Sequence, residues 1–270
     1  MRIGVFDSGY GGLTILKALR RELPEYDFVY LGDNARAPYG TRSFDVVYEY
    51  TLEAVKCLMG RGCDLTVLAC NTASAKALRS IQQNDLPAMG SGKRVLGVVR
   101  PTVESIDQYT KSRKVGILAT EGTVASQSYS IEIAKLWPDI EVYEQACPMW
   151  VPLIENNEGD GEGADYFIRK YTSELMRRCG EIDTVVLGCT HYPIIKGKIE
   201  ACLPKGVKVV EQGEIVAKSL KDYLRRHSDM DARCSKNGET EFLTTESGER
   251  FRKAALNLTG LDINPIKINL

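Results

Sequence analysis

Eight short runs of aliphatic and β-branched residues punctuate this chain: RIGVF, DFVYLGD, LTVLAC, RVLGVV, KVGILAT, IEVYEQA, TVVLGC and VKVVEQ. Apolar runs of this length, with few polar interruptions, suit strands buried on both faces. The segments between them change period. Gly12 to Leu23 (GLTILKALRREL) puts Leu13, Leu16, Leu19 and Leu23 on one stripe, and Ser43 to Met59 and Ala164 to Cys179 are amphipathic in the same way. Strand and helix in alternation predict an α/β fold with mostly parallel sheets.

The second half of the chain respells the first. RIGVFDSG from Arg2 matches KVGILATEG from Lys114, and LPEYDFVY around Pro24 matches WPDIEVYE around Pro138. DLTVLACNT from Asp64 matches DTVVLGCTH from Asp183, and RVLGVVRP from Arg94 matches VKVVEQGE from Val207. Each match is weak, but four of them arrive in one order at offsets between 112 and 119 residues. Such a repeat predicts two similar lobes, each a mostly parallel sheet flanked by helices. Their boundary falls between Val99 and Thr110. The segment after the strand at Val207, with a helix at Glu214 to Arg226, either finishes the second lobe or crosses back to the first. Asp229 to Gly238 reads as a polar loop, and Glu249 to Leu258 as a last helix.

Composition narrows the class of function. Hydrophobic residues are 43% and charged residues 26% of the chain, and the net charge is −1, the balance of a folded globular protein without the basic footprint of a nucleic-acid binder. MRIGVFDSG lacks the apolar core of a signal peptide, and no window offers the roughly 18 apolar residues of a membrane span. Eight cysteines without a CxxC or regular spacing suggest neither a secreted disulfide framework nor a zinc site. The expected compartment is the cytoplasm, with reduced thiols and no membrane or nucleic-acid partner.

In parallel α/β sheets the ligand site lies at the carboxyl ends of the strands, where loops and helix N-termini converge. DSGYGG, GDNARAPYG, CNTAS, ATEGT and CTHYP all hold such positions. DSGYGG lacks the GxGxxG spacing of a dinucleotide site. Its Asp7 and Ser8 place an acid and a hydroxyl at a strand end, suited to a substrate ammonium and a substrate oxygen.

Most of the cysteines read as buried, inert thiols: Cys57, Cys63, Cys147, Cys179, Cys202 and Cys234. Cys70 and Cys189 differ. Each ends a strand, precedes hydrogen-bonding side chains and holds the equivalent place in its own repeat. Asn71 and Thr72 follow one thiol, and Thr190 and His191 follow the other; all four are suited to a carboxylate, and His191 also to proton transfer. His227, in LRRHSD, reads as a helix-end residue. Two thiols from two lobes suit a reaction needing an acid and a base on opposite sides of one carbon, which inverts a stereocentre. A hydrolase or lyase with one nucleophilic thiol, and a two-lobed amino-acid-binding protein, are the competing readings.

FDSGYGG, PYG, ACNTAS and GCTHYP, in this order over nearly the whole chain, resemble the glutamate racemase family, within the cofactor-independent amino-acid racemases. The resemblance implies pseudo-twofold symmetry between lobes, a first lobe of residues 1–99 plus 210–270, a second of residues 100–209, and an active site between them. It implies L- and D-glutamate as substrate, no cofactor, no metal, and a supply of D-glutamate for peptidoglycan. By motif, Cys70 and Cys189 are the catalytic acid/bases, assisted by Asp7, His191 and Glu155 in VPLIE. Asp7, Ser8, Tyr39, Gly40, Asn71, Thr72, Thr190 and His191 match the substrate-binding set, joined by Thr120 and Thr123. Assembly stays open between a monomer and a homodimer. Arg100 stands where many members have Glu. The chain starts at its first strand, so regulation through an N-terminal extension is not expected.

Overall fold

In a computed structural model that describes residues 1–270, all eight apolar runs form strands: β1 (Ile3–Asp7), β2 (Phe28–Gly32), β3 (Leu65–Leu68), β4 (Arg94–Gly97), β5 (Lys114–Ala119), β6 (Glu141–Ala146), β7 (Thr184–Gly188) and β8 (Lys208–Val210). Every residue of β1, β2, β3 and β7 is buried, as strands covered on both faces require. They divide into two sheets. With two later strands, β9 (Thr240–Thr244) and β10 (Ile266–Lys267), one has the order β10-β9-β2-β1-β3-β4 and the other β6-β5-β7-β8, and every pairing is parallel. The first four strands of each half thus take the same places in their own sheets.

Helices cover both faces of each sheet. Alternate residues of β1 point opposite ways: Ile3 and Val5 pack with Leu13, Leu16 and Leu19, while Phe6 packs with Val47, Val55 and Leu58 of helix Phe44–Gly60. In the second sheet, Val185 and Leu187 meet Ile168 and Leu175 of helix Glu162–Arg178, and Val186 meets Ile133 of helix Ser128–Leu136. No helix is long and apolar enough to cross a membrane.

After β8 the chain leaves the second sheet. Helix Gly213–Arg226 buries Val216, Ala217, Leu220 and Leu224 in the same core as Leu13, Leu16 and Leu19. The two strands that the sequence pattern does not announce, β9 and β10, follow, with β9 pairing residue for residue with β2. The expected loop at 229–238 begins instead as a short helix, Ser228–Arg233. Its single apolar anchor, Met230, is 2% exposed, and burial of that side chain holds a turn that polar composition alone does not predict.

Candidate active site

The loops after β1, β2, β3, β5, β6 and β7 open on one cleft between the sheets, with a cavity of about 60 Å³. Cys70 and Cys189 both line it, as do Ser8, Tyr39, Gly40, Asn71, Thr72, Thr120, Glu155, Thr190 and His191. Cys70 ends the loop after β3 and caps helix Asn71–Lys76, its sulfur accepting from the Ala73 N–H at 3.4 Å. Ser8 Oγ lies 3.3 Å from the same sulfur. Burial, with the Asp7 charge adding to it, pushes the Cys70 thiol up to about 12, against the Ser8 and Ala73 contacts. Cys70 is therefore a neutral thiol at rest.

The other thiol has different company. Cys189 Sγ lies 3.8 Å from His191 Nδ1, and His191 Nε2 lies 2.8 Å from Glu155 Oε1. Burial disfavours the imidazolium, but the Cys189 and Glu155 side chains outweigh it and hold His191 well above the usual imidazole range. Glu155, His191 and Cys189 thus form a chain of contacts in which the Glu155 side chain fixes the ring and the ring stands beside the thiol.

Asp7 and Thr123 stand one layer behind the cleft rather than on its wall. Asp7 is fully buried, its oxygens accepting from the Gly9 N–H at 2.8 Å and from Thr190 Oγ1 at 3.2 Å. Burial raises its carboxyl above the ordinary range, against the pull of His191 and these donors. Enclosed in this way it orients the Gly9 loop and Thr190, and has no face for a substrate ammonium. Thr123 is also fully buried, bonded to Thr120 at 3.1 Å and Thr72 at 3.4 Å. Thr72 and Thr120 hydroxyls meet across the cleft at 2.9 Å.

Two further residues line the cleft differently from expectation. The Tyr39 hydroxyl is spent on Asp33 Oδ2, so this residue offers the cleft its main chain and the Gly40 turn. Asn71 gives its amide nitrogen to Gln212 and its oxygen to Tyr129. What it offers the cleft is therefore the N–H of a first helical turn, which has no helical partner. Cys147, read from the sequence as inert, is buried on the cleft wall beside Pro148, and burial holds its thiol well above the usual range.

The glycines of DSGYGG have a spatial reason. A Cβ on Gly11 would stand 2.4 Å from Thr190 Oγ1 and 2.5 Å from His191 Nδ1, and one on Gly9 3.1 Å from Glu155 Oε1. The loop is bare so that Thr190, His191 and Glu155 of the other sheet's segments can approach it. Arg100 lies away from the cleft, paired with Glu104 at 2.7 Å and Glu132 at 3.1 Å. His227 stacks on Tyr223 at a helix end. No group of three or more His, Cys, Asp or Glu side chains converges as a metal site.

Known proteins resemble this chain over nearly its whole length. The sequence model of the Asp/Glu/hydantoin racemases matches residues 12–220. A glutamate racemase of Dinoroseobacter shibae is 43% identical over 91% of this chain and 90% of its own length. The crystal structure of a glutamate racemase isoform from Bacillus anthracis superposes with a TM-score of 0.90 at 32% identity, covering 100% of this chain and 97% of the other. That of a glutamate racemase from Francisella tularensis, in complex with D-glutamate, gives 0.87 at 32% identity, with the same coverage.

Proposed function

Since the chain belongs to the Asp/Glu/hydantoin racemase family and is an amino-acid racemase, we propose that it interconverts L- and D-glutamate with Cys70 and Cys189 as acid and base on opposite faces of the α-carbon. The observation that carries this reading is the pair of thiols, brought from two sheets to one cleft with unlike neighbours. The glutamate preference is taken from relatives such as those of Dinoroseobacter shibae and Francisella tularensis. In this reading the lobes are residues 1–99 with 210–270 and residues 100–209, and the cytoplasmic enzyme supplies D-glutamate for peptidoglycan synthesis.

Each turnover moves two protons. The thiolate of one cysteine takes the α-hydrogen, becoming a thiol, and the thiol of the other returns a proton to the opposite face, becoming a thiolate. No electron leaves the pair, and the reverse reaction exchanges the two roles. An α-hydrogen is a very weak acid, so the negative charge that builds at the carboxylate needs donors already in place. Ser8, Thr72 and Thr120 hydroxyls and the first-turn N–H groups at Asn71 and Thr72 are suited to that task, while the Thr190 hydroxyl donates to Asp7. Cys70 is backed by Asp7 and Ser8 and Cys189 by His191 and Glu155, so each thiol is base for one enantiomer and acid for the other with different assistance. The retained substrate ammonium supplies the electron withdrawal, so this mechanism uses no cofactor.

Purified wild type, Cys70→Ser and Cys189→Ser test the reading with L-glutamate and L-aspartate, followed by optical rotation. Wild type is expected to carry L-glutamate to the racemate and to prefer it to aspartate. Each variant is expected to lose a factor of at least about 10³ in kcat/KM, within the range that a positioned acid or base contributes. Racemisation at the wild-type rate by either variant contradicts the two-thiol reading, and a preference for aspartate contradicts the substrate.

A further inference from the structure

Four polar side chains meet in the dry seam where the chain crosses between the sheets. Asn71 opens the helix behind Cys70, Thr102 lies on helix Val99–Ser105, Tyr129 on helix Ser128–Leu136, and Gln212 at the step from β8 to helix Gly213–Arg226. None is more than 2% exposed. One arrangement of their protons pairs the most buried atoms. Gln212 Nε2 carries two hydrogens and has Tyr129 Oη at 2.7 Å and Thr102 Oγ1 at 2.8 Å, with the Val98 carbonyl farther away at 3.4 Å. Thr102 gives its own proton to that carbonyl at 2.8 Å. Tyr129 donates to Asn71 Oδ1 at 2.7 Å, and Asn71 Nδ2 donates to Gln212 Oε1 at 2.7 Å.

These bonds close a one-way ring from Asn71 to Gln212 to Tyr129 and back to Asn71. Turning one amide over sets donor against donor, and turning both reverses the ring but takes Thr102 away as acceptor for the second Gln212 N–H, so the direction described pairs the most buried atoms. Its place gives it a consequence for chemistry. Cys70 shares a turn with Asn71, and its sulfur is bonded to Ala73 of that same turn, while Tyr129 belongs to a helix packed on the second sheet. Resting on the two-thiol reading above, we infer that Gln212 is a positioning residue: by clamping Asn71 to Tyr129 it locks the turn carrying Cys70 against the second lobe, and so sets how the two thiols face one carbon.

Gln212→Leu removes two of the three ring bonds at similar volume and leaves Tyr129 on Asn71, and Tyr129→Phe removes one hydroxyl and keeps the aromatic ring. In Gln212→Leu, kcat is expected to fall about tenfold or more in both directions while KM moves less than about threefold, since a displacement of about 1 Å near the reacting atoms can cost about a hundredfold. The isotope effect with α-deuterated glutamate should rise, because proton transfer becomes slower than the other steps. Tyr129→Phe should show the same pattern in smaller measure. The double variant should lose no more than the poorer single one, as members of one network do.

Full kcat in either single variant, or losses that simply multiply in the double one, overturns the inference. If Gln212→Leu does not fold, Tyr129→Phe decides alone. Wild type exchanging its α-hydrogen while both variants keep full kcat sinks only the role of Gln212. Failure of wild type to exchange sinks the two-thiol reading, and this inference with it.

Discussion

Asp7 shows how one residue serves the site at a cost to the fold. Its carboxyl is fully buried and raised above 3.8, chiefly by desolvation. The sign of the linkage follows from that. Between the ordinary carboxylate range and the raised value, the native state holds more protons than the unfolded one, so stability falls as pH rises through this window. Above it the penalty is fully present, and below the ordinary range it vanishes. Asp7→Asn is therefore expected to melt at a higher temperature than wild type at pH 7, with the difference shrinking as the pH is lowered toward the ordinary carboxylate range. Its kcat is expected to fall, because Asp7 holds the Gly9 loop and Thr190 in place. Thermal melts across pH, read beside racemisation rates, check both halves; a lower melting temperature for Asp7→Asn at pH 7 contradicts the first. No residue pattern signals this cost, because desolvation depends on the packing around the carboxylate.

At the scale of elements, the loop after β1 and the loop after β7 act as a fitted pair. Gly11 leaves room for Thr190 and His191, and a methyl group there would overlap both. Gly11→Ala is expected to cost about 1–3 kcal/mol as overpacking in a tight site, and to lower kcat further by displacing His191 from Cys189 and Glu155. Denaturant unfolding and steady-state kinetics measure the two effects, and an Ala variant with wild-type values of both contradicts the close-approach account. The sequence announces the loop as glycine-rich but not its purpose, since the neighbour that needs the space lies about 180 residues away in the chain. The same limit applies to β9. TEFLT alternates weakly and carries Glu241, so only its pairing with β2 makes it a strand. The eight core strands were legible because near-continuous apolar runs have few other uses in a chain of this composition.

For the whole molecule, the repeat that pairs LACNT with LGCTH carries most of what sequence could say about function. It singles out Cys70 and Cys189 from eight thiols, and the structure brings both to one cleft. It does not single out Cys147, which lies outside every repeated spelling, or Gln212, which falls in the repeat at VKVVEQGE but is matched with a residue of different chemistry in RVLGVVRP, so its place depends on how the two sheets and the crossing meet. In the two-thiol reading, the unlike partners of the thiols, Ser8 and Asp7 for one and His191 with Glu155 for the other, make the two proton transfers chemically distinct. In that reading the proton taken by one thiol is not the one returned by the other, which comes from a sulfur that has exchanged with solvent. Wild type incubated with L-glutamate in deuterated water, with both enantiomers analysed for α-deuterium at low conversion, reads this directly. The D-glutamate formed is predicted to carry α-deuterium in nearly every molecule, while the remaining L-glutamate is nearly unlabelled. D-glutamate that retains the substrate's own α-hydrogen would show a single base serving both faces, and would contradict the two-thiol mechanism.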